Sequence, residues 1–226
     1  MLANPELRLP RGAPPARPVV LVHGIFNSAA VFHSMARYLE RHGFRPLTPS
    51  LIPNGGSLGL DELALQIRDF VNERLPSGEP FDLIGFSMGG LVSRYYIQRL
   101  GGIDRVGRFI AISSPHHGSY WACMVGNPAC RQMRPGSAFL EELNRDKKML
   151  ERVRFVSLWT PLDLMIVPAS SSRLEVGEEF TLPIALHPWM VMSRSSLELI
   201  AKLLKESAPA CDPVTADRGR FKQSKE

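Results

Sequence analysis

Ser87 stands in Gly85-Phe86-Ser87-Met88-Gly89-Gly90, where glycines two places before and after it permit a turn too tight for other side chains. Phe81-Asp82-Leu83-Ile84 before it is an apolar run of strand length, and Leu91 to Ile97 after it repeats with a helical period. Strand, G-x-S-x-G and helix together describe a turn that lifts a serine hydroxyl above a sheet edge, within reach of an acyl carbonyl. The Met88 backbone N–H then opens the helix, aimed where negative charge develops on the carbonyl oxygen. That is the chemistry of a nucleophile.

A serine hydroxyl needs a general base, and the base needs an orienting carboxylate. On a strand–serine–helix turn the chain order is serine, acid, histidine. His187 meets that order in Ala185-Leu186-His187-Pro188-Trp189, a loop between the last expected strand and helix. His116-His117 precedes every plausible acid loop and reads as a structural turn, with pocket lining as its lesser alternative. Asp163 follows an expected strand and sits among apolar residues in Pro161-Leu162-Asp163-Leu164-Met165-Ile166. A carboxylate there requires a partner, and His187 would supply one. Glu175 is the second choice for the acid. Asp146 reads as solvated, and Asp82 and Asp104 have nothing to recommend them.

The second oxyanion donor falls in His23-Gly24-Ile25, where glycine lets the backbone approach closely and the Ile25 N–H joins that of Met88. His23 reads as a structural hydrogen-bonder of that loop. Phe26, Tyr120, Trp121, Leu164, Ile166 and Trp189 are expected to surround the nucleophile with apolar surface. No charged residue near the three loops suits a peptide or phosphate substrate. No metal-ligand spacing and no cofactor motif is present, so neither is expected.

These groups need a scaffold. Pro18–Val22 reads as a buried parallel strand, followed by a helix over 30–42 and a short edge strand over 44–49. A helix over 60–74 precedes the serine turn. Strands follow over 108–114, 153–159 and 179–184, with helices over 137–150 and 195–205. Alternating strands and helices predict a three-layer α/β/α domain with a mostly parallel sheet. The domain spans 18–206, with 119–150 as at most a small lid, a flexible leader over 1–17, and a basic, disordered tail over 207–226.

The chain has 226 residues, 44% hydrophobic and 22% charged, which suits one globular α/β domain. Its formal net charge of +5 lies partly in the tail and reads as a solvated surface. No aromatic-interleaved basic stripe or zinc-finger spacing points to nucleic acid. A transient contact with a membrane surface and the oligomeric state are left open. The leader lacks the apolar core of a secretory signal, which predicts a cytoplasmic protein. Cys123 and Cys130 are spaced for a small disulfide loop in an oxidising compartment, with two reduced thiols preferred. Cys211 stands alone in the tail.

With these residues in place, the chain resembles the α/β-hydrolase superfamily and, within it, small bacterial lipases of the Bacillus type. His23-Gly24-Ile25 is similar to the family's oxyanion loop, Gly85 to Gly90 to its serine turn, and Ser157 to Val167 to its acid strand and loop. His187 falls at the place of the family's histidine. Ser114-Pro115-His116-His117-Gly118-Ser119 and Arg134 to Leu140 are similar to segments of larger triacylglycerol lipases. The resemblance implies a serine ester hydrolase acting on an ester or lipid through an acyl-enzyme. An acyltransferase using the same acyl-enzyme is the alternative. A non-catalytic binding protein on this fold is the third reading.

Overall fold

A computed structural model of the chain describes residues 17–206. The tail, Cys211 and all of the leader except Arg17 lie outside these residues. Six strands form one all-parallel sheet: β1 (Pro18–Val22), β2 (Arg45–Leu47), β3 (Phe81–Phe86), β4 (Val106–Ile112), β5 (Arg154–Trp159) and β6 (Glu178–Thr181). Their order is β2-β1-β3-β4-β5-β6, so the connections leave β1 in opposite directions. The carboxyl ends of β1 and β3 therefore flank the point where an open parallel sheet leaves a crevice for ligands.

Residues of successive parity face opposite sides of the sheet. Val20, Val22, Leu83, Phe109 and Phe155 pack beneath α2 (Leu60–Arg74) and α3 (Met88–Arg99). Val19, Leu21, Ile84, Phe86, Ile110 and Ile112 pack against α1 (His33–Arg41) and α6 (Arg194–Lys205). Both faces are covered, which is why the central strands read as unbroken apolar runs. In α2 the buried set Leu60, Leu63, Ala64, Ile67 and Val71 follows the helical period. Glu62 accepts from the Gly59 N–H at 2.8 Å and closes its first turn. Leu75, extended ahead of Pro76, ends it.

Several boundaries differ from the sequence reading. The expected helix over 30–42 opens as a 3₁₀ turn, Ala29–Phe32, before α1. The edge strand shrinks to three residues around Pro46, which has no N–H to give to the ladder. The expected helix over 137–150 breaks at Asp146 into α5 (Ala138–Arg145) and a 3₁₀ turn, Lys147–Arg152. Arg99 holds the Asp146 carboxylate at 2.8 Å at that break. The segment 119–135, without period in the sequence, holds a 3₁₀ turn, Tyr120–Met124, and α4 (Pro128–Gln132). Asn127 caps α4 by accepting from the Cys130 N–H at 2.8 Å, and Pro128 occupies its first position. Cys123 is an exposed free thiol and Cys130 a buried one, so they form no disulfide.

Candidate active site

Ser87 occupies the single residue between β3 and α3 with φ +56° and ψ −126°, a backbone state that L-residues rarely adopt. The neighbouring glycines make that turn sterically available. A Cβ on Gly85 would stand 2.6 Å from the Gly90 Cα, and one on Gly89 would stand 2.2 Å from the Val22 carbonyl oxygen. The start of α3 is thus pressed onto the end of β1. Gly89→Ala must push these backbones apart, so a loss of about 3 kcal/mol or more is expected in urea unfolding. An unchanged unfolding midpoint would show that the turn has slack the geometry does not display.

Gly24 lies across from the serine, and a Cβ there would approach the Ser87 Cβ to 3.0 Å. The loop expected to receive the oxyanion is set by hydrogen bonds around it. The Phe26 N–H donates to Asn54 O at 2.9 Å and Phe26 takes φ +58°. Asn27 Nδ2 donates to Ile25 O at 3.1 Å. His23 Nε2 accepts from the Leu51 N–H at 2.9 Å, which leaves Nδ1 as the donor to Gly24 O at 2.9 Å. Burial lowers the His23 pKa more than its bond to Gly24 raises it, so it stays a neutral brace for the loop. The Met88 N–H opens α3 and has no partner within the helix.

At the other side of the site, His187 Nδ1 meets Asp163 Oδ2 at 2.7 Å. Asp163 Oδ1 accepts from the Met165 and Ile166 N–H groups at 2.9 and 3.0 Å. Burial pushes the Asp163 carboxyl up, but the His187 bond and charge and the two amides together outweigh it and hold it low. An ionised Asp163 fixes the proton on Nδ1 and leaves the Nε2 lone pair as the ring's base. The imidazole rests against Phe86, the residue before the serine, with ring centroids 4.7 Å apart.

The other acids are engaged elsewhere. Asp82 pairs with Arg108 at 3.4 Å at the opposite end of the strand, Asp104 with Arg152 at 3.1 Å, and exposed Glu175 with Lys147 at 2.8 Å. His116 is buried with its ring edge on Phe155, and neither it nor His117 lines the cavity at Ser87. Among the described residues no cluster of three or more His, Cys, Asp or Glu side chains could hold a metal ion.

Ser87 opens into a cavity of about 30 Å³ lined by Ile25, Pro115, Ser119, Trp121, Met133 and Ile166, among others. Of the pocket residues expected from sequence, Trp121 and Ile166 lie on this lining. Phe26, Tyr120, Leu164 and Trp189 do not: each is more than half exposed. Phe26 reaches the cavity's edge only through Trp121, at 6.5 Å between rings. Phe26 and Leu164 lie in loops, and Tyr120 and Trp189 in 3₁₀ turns. Pro115 and Ser119 lie in the segment that resembles larger lipases but were not singled out as pocket residues, and Met133 had no sequence signal. Ser119 is the most connected of them. Its hydroxyl donates to Met165 O at 2.9 Å and accepts from the Val167 N–H at 3.0 Å, lacing the turn after β4 to the acid loop.

A family model described as the alpha/beta hydrolase fold matches residues 17–128. The lysosomal thioesterase PPT2 homolog of Drosophila melanogaster is 34% identical over 110 residues, which are 46% of this chain and 37% of that protein. The chain spans about two fifths of the length of the curated relatives it matches. Among solved structures, the mature Bacillus licheniformis lipase BlEst2 superposes with a TM-score of 0.71 at 17% identity, covering 85% of this chain and 93% of its own. Aspergillus fumigatus lipase B gives 0.72 at 18% identity, covering 89% and 55%. The all-parallel sheet, the serine turn at its switch point and these matches identify the chain as a protein of the α/β-hydrolase fold.

Proposed function

We propose that the protein is a serine hydrolase of carboxylic esters with apolar acyl chains. Ser87 attacks the acyl carbonyl while His187 Nε2 takes its proton and passes it to the leaving alcohol. Asp163 holds the imidazole, and the Ile25 and Met88 N–H groups receive the oxyanion. Water then frees the acyl group by the reverse path. The observation that carries this reading is the 2.7 Å His187–Asp163 bond beside the Ser87 turn, with the second carboxylate oxygen held by two amides. A solvated loop histidine has no use for so buried an acid. The thioesterase named among the relatives supports the same acyl-enzyme with a sulfur leaving group, so thioesters belong in the first substrate panel.

The acyl preference follows from the surface around the site. Phe26, Tyr120, Met124, Leu162, Leu164, Leu186 and Trp189 are all exposed, and all lie in loops or 3₁₀ turns in the segments that follow the strands. The cavity at Ser87 is small, so a longer chain runs outward over this rim. Full burial contributes about 0.8 kcal/mol per methylene, and a half-open rim recovers part of it. Octanoyl p-nitrophenyl ester is therefore expected to exceed the acetyl ester about tenfold or more in kcat/KM, with negligible cleavage of peptide amides. Equal values for the two esters would remove the apolar rim from the account.

No helix among the described residues is long and apolar enough to cross a membrane. The relatives' names place them in the lysosome, so they lend no support to the cytoplasmic expectation.

A further inference from the structure

Two turns after Ser87, a positive charge is buried with no carboxylate among the described residues to meet it. Arg94 on α3 is fully buried. Its donors reach neutral acceptors: Nε to Gln98 Oε1 at 3.1 Å, Nη1 to Asn144 Oδ1 at 2.9 Å, and Nη2 to Leu143 O at 3.0 Å. Nη1 also faces His116 Nδ1 at 3.5 Å. Burial, with a smaller push from Arg99, lowers the Arg94 pKa to about 9. Burying a guanidinium without a carboxylate carries a desolvation cost that neutral acceptors offset only in part. The charge itself therefore gives no reason for an arginine here. The fixed fork of its donors does, because it sets three chain segments in one geometry.

Those segments are α3, α5 and the turn after β4. Asn144 Nδ2 donates to His116 O at 3.0 Å, and Gln98 Nε2 donates to Leu143 O at 2.9 Å, so the guanidinium is cross-braced on both sides. The turn so held carries Pro115 and Ser119 into the wall of the serine cavity. It also bears on α3 directly, since a Cβ on Gly90 would fall 1.8 Å from Ser114 Oγ. From Ser119 the hydroxyl reaches Met165 O and the Val167 N–H, and the Met165 N–H in turn binds Asp163. An unbroken path of hydrogen bonds and short chain segments joins the helix behind the serine to the acid of the histidine.

We propose that Arg94 is a positioning residue of the serine site, fixing the cavity wall at Pro115 and Ser119 and, through the Ser119 hydroxyl, the acid loop relative to Ser87. The inference rests on the reading of Ser87 as the nucleophile. Displacements of about an ångström in such a site cost about a hundredfold in rate.

Arg94→Met, Arg94→Lys and Asn144→Ala test it. Each variant is compared with wild type for thermal midpoint, for kcat and KM on one p-nitrophenyl ester, and for the rate of fluorophosphonate labelling per labelled molecule. Arg94→Met leaves Gln98 Oε1 and Asn144 Oδ1 without this donor and is expected to lower the thermal midpoint, while in the folded protein kcat and the labelling rate fall about tenfold or more and KM moves little. Arg94→Lys is not expected to restore them, because an ammonium lacks the fork. Asn144→Ala, at a half-buried position, is expected to shift both rates the same way by a smaller factor. Wild-type rates per labelled molecule in Arg94→Met overturn the proposal, whatever its thermal midpoint. If Arg94→Met does not fold, Asn144→Ala decides: slower labelling supports the proposal and a wild-type rate overturns it. Folded wild-type protein that takes no label on Ser87 overturns the nucleophile reading itself, and this inference with it.

Discussion

Ser87→Ala and His187→Ala are each expected to lower ester hydrolysis about a thousandfold or more, and the double variant is expected to be little worse than either. The serine has no useful nucleophilicity without a base, and the base has no task without the serine, so removing one removes most of what both supply. Residual turnover then comes from binding and from the backbone N–H groups of Ile25 and Met88. Both variants should fold. The Ser87 side chain caps nothing in α3, and the turn is held by backbone, including the Ser87 N–H bond to Ile112 O at 2.8 Å. Initial rates with active-site-independent protein quantitation measure the effect. Either single variant retaining more than about a tenth of the wild-type rate would mean that the triad is drawn wrongly.

Asp163→Asn is expected to cost about a hundredfold to ten-thousandfold, by handing the histidine the wrong tautomer. An amide can present its NH₂ to Nδ1, which then becomes the acceptor and puts the proton on Nε2, where the serine needs a lone pair. Glu175→Gln is the matched control, since Glu175 lies exposed on Lys147, and its activity is expected to stay at the wild-type level. A pH dependence accompanies the acid. The folded Asp163 carboxyl titrates below its ordinary value of 3.8, because the His187 interaction and the two amides outweigh the upward push of burial. Its contribution to stability is therefore complete above that value and is lost as pH falls through the lower folded value. Acid unfolding of Asp163→Asn should lack this component. An Asp163→Asn enzyme with wild-type turnover would place the acid elsewhere.

Much of this arrangement could be read from residue types because the serine turn is local. Glycine spacing, an apolar strand and a helical period occupy one stretch of chain, and β1 and α2 have the same bounds in sequence and structure. The pairing of Asp163 with His187 was legible by chain order and by the cost of leaving Asp163 buried alone. The cavity was not. Its lining comes from side chains 25, 115, 119, 121, 133 and 166, which meet only after six strands have set their register. Sequence distinguishes apolar from polar at such loop positions but not the crest of a loop from its inner side. Phe26, Tyr120, Leu164 and Trp189 accordingly stand outside the cavity they were expected to line. The break at Asp146 was hidden for the same reason, since Arg99 reaches it across the fold. The Asn127-Pro128 pair that starts α4 was a local signal, an N-cap followed by proline, and was open to reading.

Fluorophosphonate labelling of the folded protein, followed by peptide mapping, tests the central claim most directly. A fluorophosphonate forms a stable bond only with a hydroxyl that a neighbouring base has made nucleophilic, so it reports the Ser87–His187 pair without any assumption about the natural ester. The account predicts a single adduct on the peptide containing Ser87, absent from Ser87→Ala and formed far more slowly in His187→Ala. A folded wild-type protein that takes no label, or an adduct that survives Ser87→Ala, would contradict it.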